Sequence, residues 1–215
     1  MKRDTFNSEV SALTTLSERL GSFGKSEAES IATAAKSLAT IVNVGDGPQH
    51  AQRVALAAQR YKEHVARTAS QLTEREAGGM AALAEARRER LGMATDKYVL
   101  AVTLAFQNAK PQDRVRMLGE AVEGKHGPTL AALAEAPSYV TGVDPAMLAQ
   151  HLEAAEQKHA PDLAQRREQF EADRSAMQTV LAQAQALAAR AVDLESVELA
   201  NQADAAEAEL NRVTA

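Results

Sequence analysis

The chain of 215 residues contains no cysteine and no tryptophan, and only 3% of its residues are aromatic. Without cysteine there is no disulfide framework, no thiolate nucleophile and no cysteine-based zinc site. The longest apolar stretch, between Tyr98 and Phe106, is far shorter than the roughly 18 residues that a membrane-spanning helix needs. The first residues also lack the apolar run of a signal peptide. We therefore expect synthesis in the cytoplasm and no membrane association.

Large apolar side chains are scarce as well. Leucine, isoleucine, valine and phenylalanine together make up just under a fifth of the chain, whereas there are 46 alanines. Alanine is the best helix former, but it buries little apolar area compared with leucine. The composition predicts an all-α protein with a thin core of small side chains, which gains stability from neighbours by forming a homo-oligomer.

Apolar periodicity and turn residues divide the chain into four helical segments. We predict an N-terminal helical hairpin over 1–47, a long helix and a strongly apolar helix over 48–110, a cluster of short helices over 111–160, and a long coiled-coil-like helix over 161–215. The four segments are expected to form one cooperative domain. In it the two long helices form an extended antiparallel bundle, and the short helices lie between them in the sequence.

Several local signals refine these segments. Ser26 followed by Glu29 predicts a capping box at the start of the second helix, and Asp144-Pro145 is typical of a helix start. Gly78-Gly79 marks a point where the long helix could bend. The apolar helix, predicted over Thr95–Ala109, carries apolar residues on several faces, which indicates a buried position.

Apolar residues in the last segment recur at seven-residue intervals. This spacing is typical of coiled-coil packing, although Arg166 and Asp173 interrupt its second row. We predict a self-packing interface formed by Phe170, Met177, Val180, Leu181 and Leu187.

The two long helices differ in charge. Residues 49–92 carry a net charge of +3, and residues 161–215 carry a net charge of −5. These balances favour pairing of the two helices, within one chain or between chains. Alternatively, both patterns serve only to solvate exposed faces.

Two Glu-x-x-His pairs, Glu123/His126 and Glu156/His159, have the spacing that carboxylate-bridged di-metal bundles use. Glu153 lies one turn before the second pair and would add a third ligand. Such a metal site also needs inward-facing carboxylates on other helices, which the sequence does not mark. We expect these residues to be solvated surface groups, and we assign no metal or cofactor.

No pattern in the sequence specifies catalysis. There is no Gly-x-Ser-x-Gly elbow and no phosphate-binding glycine loop after a strand. A net charge of −5 argues against a general nucleic-acid binder. Arg87, Arg88 and Arg90 form the densest basic cluster, for which we weigh a local phosphate contact against a solvated surface. We expect that the protein is not an enzyme.

The stretch from His126-Gly-Pro-Thr-Leu through Ala136-Pro-Ser-Tyr-Val-Thr-Gly to Asp144-Pro145 resembles a segment in small helical proteins of tailed bacteriophages and prophages. With the long helix that opens at Ala160-Pro161, the resemblance covers about residues 126–190. It implies a structural or assembly protein of the virion, in the capsid-associated or head–tail connector region. Such a protein would be made in the cytoplasm, become virion-associated and contact other virion proteins.

Two other functional hypotheses stay open at this point. The chain could be a soluble adaptor or chaperone-like protein that holds another protein's helix, or, more remotely, a di-metal carboxylate enzyme. Tyr139 lies at a turn framed by proline and glycine, where an aromatic side chain suits a partner contact. Alternatively, it fills a local core.

Overall fold

The computed structural model describes residues 3–45, 48–94 and 99–214, and within these ranges all side chains except those of residues 48 and 193–214. Its elements are α-helices, and the described residues contain no strand, which confirms the predicted all-α class with long helices. In chain order the helices are α1 (Arg3–Arg19), α2 (Lys25–Asn43), α3 (Pro48–Arg90), α4 (Val99–Asn108), α5 (Pro111–Glu123), α6 (Gly127–Glu135), α7 (Ser138–Thr141), α8 (Pro145–His159) and α9 (Pro161–Thr214).

The helix boundaries test the local sequence signals. Asp144 caps α8 as predicted, since its Oδ1 accepts hydrogen bonds from the backbone N–H of Ala146 at 2.7 Å and of Met147 at 3.2 Å. The capping box at Ser26 is wrong, because α2 begins at Lys25, with Gly24 as its N-cap at φ +77°. Ser26 therefore lies inside the first turn, where its side chain is past the capping position.

The chain divides into two compact units. The first comprises Met1–Glu76 and Phe170–Ala215, and the second comprises Ala77–Gln169, so α3 and α9 contribute to both. The four predicted segments and their cooperativity stay a prediction, since cooperativity is a property of unfolding. Among the described residues, no helix is long and apolar enough to cross a membrane.

The first unit is a four-helix arrangement of α1, α2, the early part of α3 and the middle of α9. Each helix contributes apolar residues at three- and four-residue spacing to one buried core. The larger core side chains are Phe6, Val10, Leu13, Ile31, Leu38, Val42, Val54, Tyr61, Val65, Leu72, Met177, Val180 and Leu187.

Contacts at the helix ends fix the directions in this unit. Asn43 near the end of α2 donates to Asn7 near the start of α1 at 2.9 Å, so these helices are antiparallel. Arg75, late in α3, pairs with Glu27 at the start of α2, so α3 runs opposite to α2. Arg190 of α9 pairs with Glu9 of α1.

The part of α9 that belongs to this unit begins near the C-terminal end of α1. There Asp173 accepts hydrogen bonds from the backbone N–H of Gly21 at 3.0 Å and of Phe23 at 3.1 Å. Helix α9 is therefore antiparallel to α1, and within this unit α3 and α9 are also antiparallel. Asp173 is buried, and this polar interruption of the predicted apolar row holds the turn between α1 and α2.

The second unit holds the short helices. Its core is formed by Leu91, Phe106, Leu118, Leu130, Val143 and Leu152 with smaller neighbours. Helix α4 packs against α6 and α7, and α5 packs against α6 and α8. Gly127 allows two backbone segments to approach closely, since a Cβ at this position would lie 2.2 Å from the carbonyl oxygens of Leu91 and Gly92.

The predicted burial of the apolar helix is wrong. Within α4 only Phe106 is fully buried, whereas Leu100 is 73% exposed and Leu104 is 46% exposed. Residues 95–98 of the predicted helix lie outside the described residues. The reason is geometric, because α4 packs on neighbours along one side only and nothing in the described part of the second unit covers its other side.

Candidate functional site

The outer face of α4 exposes large apolar side chains. The sequence from 99 to 109 contains no charged residue. Leu100 and Leu104, four residues apart, lie on one exposed side of the helix, and Ala101 and Ala105 form the exposed row next to them. An apolar helix is normally buried on all sides, so this face has the character of a contact surface.

A groove of about 520 Å³ adjoins this face. Its apolar wall comes from Val102 and Phe106 of α4 and from Met117 and Ala121 of α5, and Ala101 and Ala105 form its border. The volume lies within the range of sites that bind apolar groups. With the exposed leucines, the groove extends the apolar surface from α4 to α5.

The polar groups that line the groove are engaged with partners. Glu120 accepts a hydrogen bond from Arg116 at 2.7 Å, and His126 Nδ1 lies 2.6 Å from Thr129 Oγ1. This arrangement offers no activated nucleophile and no convergent acid–base pair. Chemically, the surface is suited to bury apolar side chains.

Arg114 holds α4 in place from its C-terminal end. Its guanidinium donates to the carbonyl oxygens of Phe106 at 2.8 Å, Gln107 at 3.2 Å and Gly142 at 3.2 Å. A cation at the unpaired carbonyls of helix ends is favourable. Gly142 adopts φ +64°, and a Cβ there would lie 2.1 Å from the Arg114 guanidinium. Sequence reasoning missed Arg114; its signal was a basic residue shortly after a helix end.

The predicted metal ligands do not converge on one point. Glu153 and Glu156 both bind Arg167, at 3.1 Å and 2.9 Å, and His159 Nε2 lies 2.6 Å from the Val122 carbonyl oxygen. No group of three potential metal ligands occurs among the described residues. Guanidinium groups thus occupy the place that a metal would take beside Glu156.

The other Glu-x-x-His pair is also engaged elsewhere. Glu123 binds Lys158, whose hydrogen bond and charge lower the pKa of this exposed carboxyl group. His126 bonds to Thr129 instead of turning toward Glu123. Glu123 thus forms a surface ion pair with Lys158, and His126 forms a contact at the start of α6.

The basic cluster at the end of α3 faces carboxylates. Arg87 binds the buried Glu156, Arg90 binds Asp162 at 2.8 Å, and Arg88 lies 3.8 Å from Glu135. Each guanidinium therefore already has a negative partner in the same unit. A local phosphate contact stays a prediction, which these ion pairs do not favour.

The predicted interface residues of α9 lie in the first unit. Met177, Val180 and Leu187 are almost fully buried in its core, and Leu181 is partly buried against it. The ring of Phe170 packs against that of Phe23 at a tilt of 54°, with ring centroids 4.7 Å apart. Within one chain these side chains already have packing partners, and their role between chains stays a prediction.

Tyr139 of α7 is 86% exposed. It therefore does not fill a local core, and that alternative is wrong. Its role as a partner contact stays a prediction.

Comparison of the chain with protein-family models, curated proteins and solved structures gave no match.

Proposed function

We propose that this chain is a non-enzymatic structural or assembly protein that works by helix–helix packing. The resemblance of residues 126–190 to phage proteins suggests a component of a virion, either capsid-associated or in the head–tail connector region. In this role the second unit binds a helix of another protein chain at the outer face of α4.

The observation that carries this proposal is the exposure of the most apolar helix. Fully burying a leucine side chain contributes about 1.5–3 kcal/mol of stabilising free energy. Because Leu100 and Leu104 are largely exposed in the isolated chain, they gain only part of it. A protein that works by assembly recovers this free energy when a partner covers the helix. An enzyme would instead need convergent reactive groups, which the groove beside α4 does not offer.

The contact can be tested in the cells that naturally make the protein, with a photo-crosslinking amino acid at position 104. A matched control carries the same amino acid at Leu56, which is 53% exposed and belongs to the first unit. We expect position 104 to form a discrete adduct, and mass spectrometry to identify the second chain as this protein or a structural protein. Position 56 should not form that adduct. Absence of an adduct at 104, or identical adducts at both positions, would contradict the proposal.

A further inference from the structure

The exposed face of α4 carries a ridge beside a row of small residues. Leu100 and Leu104 form the ridge, and Ala101 and Ala105 form the adjacent row, which borders the 520 Å³ groove. Both rows follow the four-residue spacing along which helix ridges pack into helix grooves. The surface therefore contains both a projecting part and a receiving part.

A surface with both parts is complementary to itself. In a two-fold contact the same patch on each protomer faces the other, so the leucine ridge of one copy can lie on the alanine row of its partner, and the reverse. Such packing of four-residue rows gives a helix crossing of about −50°. The small alanine side chains permit the close approach that this requires.

The charge distribution is compatible with a copy of the same chain. When two identical surfaces meet, any charge on one faces a like charge on the other, and such contacts are unfavourable. Residues 99–109 contain no charge. On the neighbouring helix, Arg116 lies 3.7 Å from Asp113 and 2.7 Å from Glu120, so charges of both signs are already balanced on one protomer.

From these features we infer that the occupant of the α4 face is a second copy of this chain. Leu100 and Leu104 of each protomer pack on Ala101 and Ala105 of the other about a two-fold axis. This inference rests on the proposed function and names its partner. A helix of 10 residues is about 15 Å long, so the contact is small and belongs with weak, concentration-dependent associations.

The test uses opposite charges at Leu104 in the full-length chain. Light scattering across a wide concentration range should show the wild-type mass rising from 22.9 kDa toward twice that value. Leu104→Glu alone and Leu104→Lys alone should weaken the association at least about tenfold, because each homodimer would bury like charges. An equimolar mixture of the two should recover the dimer. Leu56→Glu and Leu56→Lys are matched controls and should behave as the wild type does.

Circular dichroism on each sample should show unchanged helicity, since position 104 is exposed. Three results would overturn the inference: a wild-type chain that stays monomeric, a dimer that neither charge at 104 weakens, or a mixture that stays monomeric. The crosslinking experiment separates these failures from failure of the proposed function. An adduct between position 104 and a different structural protein would retain the assembly function and reject the second copy as partner.

Discussion

Glu156 is a buried carboxylate in the second unit. Only 1% of its side chain is exposed, and it binds the guanidinium groups of Arg87 and Arg167, which are 25% and 14% exposed. Glu156→Ala would leave both cations without this counter-charge in a place with little water. Removing one partner of a buried pair costs about 3–5 kcal/mol. Because both guanidiniums keep some contact with solvent and Arg167 keeps Glu153 at 3.1 Å, we expect about 3 kcal/mol.

Urea unfolding followed by far-UV circular dichroism measures this loss, and amide hydrogen exchange across α8 assigns it to the second unit. The matched control is Glu153→Ala, which removes a carboxylate that also binds Arg167 but is 48% exposed. Surface ion pairs contribute less than about 1 kcal/mol, so the control should be nearly neutral. If Glu156→Ala costs no more than Glu153→Ala, Glu156 does not hold the unit together and our reasoning is refuted.

Two further predictions concern the first unit. The hydroxyl group of buried Tyr61 has no hydrogen-bond partner among the described side chains, so Tyr61→Phe should raise the free energy of unfolding by about 1 kcal/mol at neutral pH. Burial also raises the pKa of Tyr61, so this phenol ionises in the unfolded chain before it does in the folded one. Through this group the wild type alone should therefore lose stability as pH rises above about 10, the ordinary tyrosine value. Urea unfolding should thus show a widening gap between the two proteins, and equal pH dependence would contradict the prediction. Asp173→Ala should cost about 3 kcal/mol, because two backbone N–H groups lose a charged acceptor, and should speed hydrogen exchange at Gly21 and Phe23. Asp173→Asn, which keeps one acceptor oxygen, should lose about half as much, and unchanged exchange in both variants would disprove the contact.

Much of the fold could be predicted because helix signals are local. Periodic apolar residues, prolines at helix starts and the Asp144 cap act within a few residues of one another. The capping box at Ser26 failed although it is local too. The backbone there is set by Gly24, where a Cβ would lie 3.1 Å from Met177 Sδ. Gly24, whose φ of +77° suits glycine, thus forms the N-cap of α2 in place of Ser26.

The buried carboxylates could not be interpreted from the sequence, because their partners are far apart along the chain. Asp173 appeared to be a flaw in an apolar row, yet it binds backbone groups 152 and 150 residues away. Glu156 was expected to be a solvated surface group, with a metal ligand as the alternative, and that expectation is wrong because the side chain is buried and Arg87, 69 residues away, binds it. Residue type and spacing describe what a carboxylate can bind, and only the packing of helices selects its partner.

In the apolar helix α4, composition and observed burial disagree. Apolar residues around a whole helix predict burial, yet among the described residues of the second unit α4 packs against α6 and α7 and leaves Leu100 and Leu104 exposed. Solvent exposure gives apolar residues no advantage, so the proposed contact would account for the apolar residues on the outer side of α4. The exposed leucine ridge, the alanine row beside it and the absence of charge all fit a contact with an identical helix. The prediction of burial is thus wrong for the outer side of α4, and the proposed contact with a second copy is the one that would cover that side.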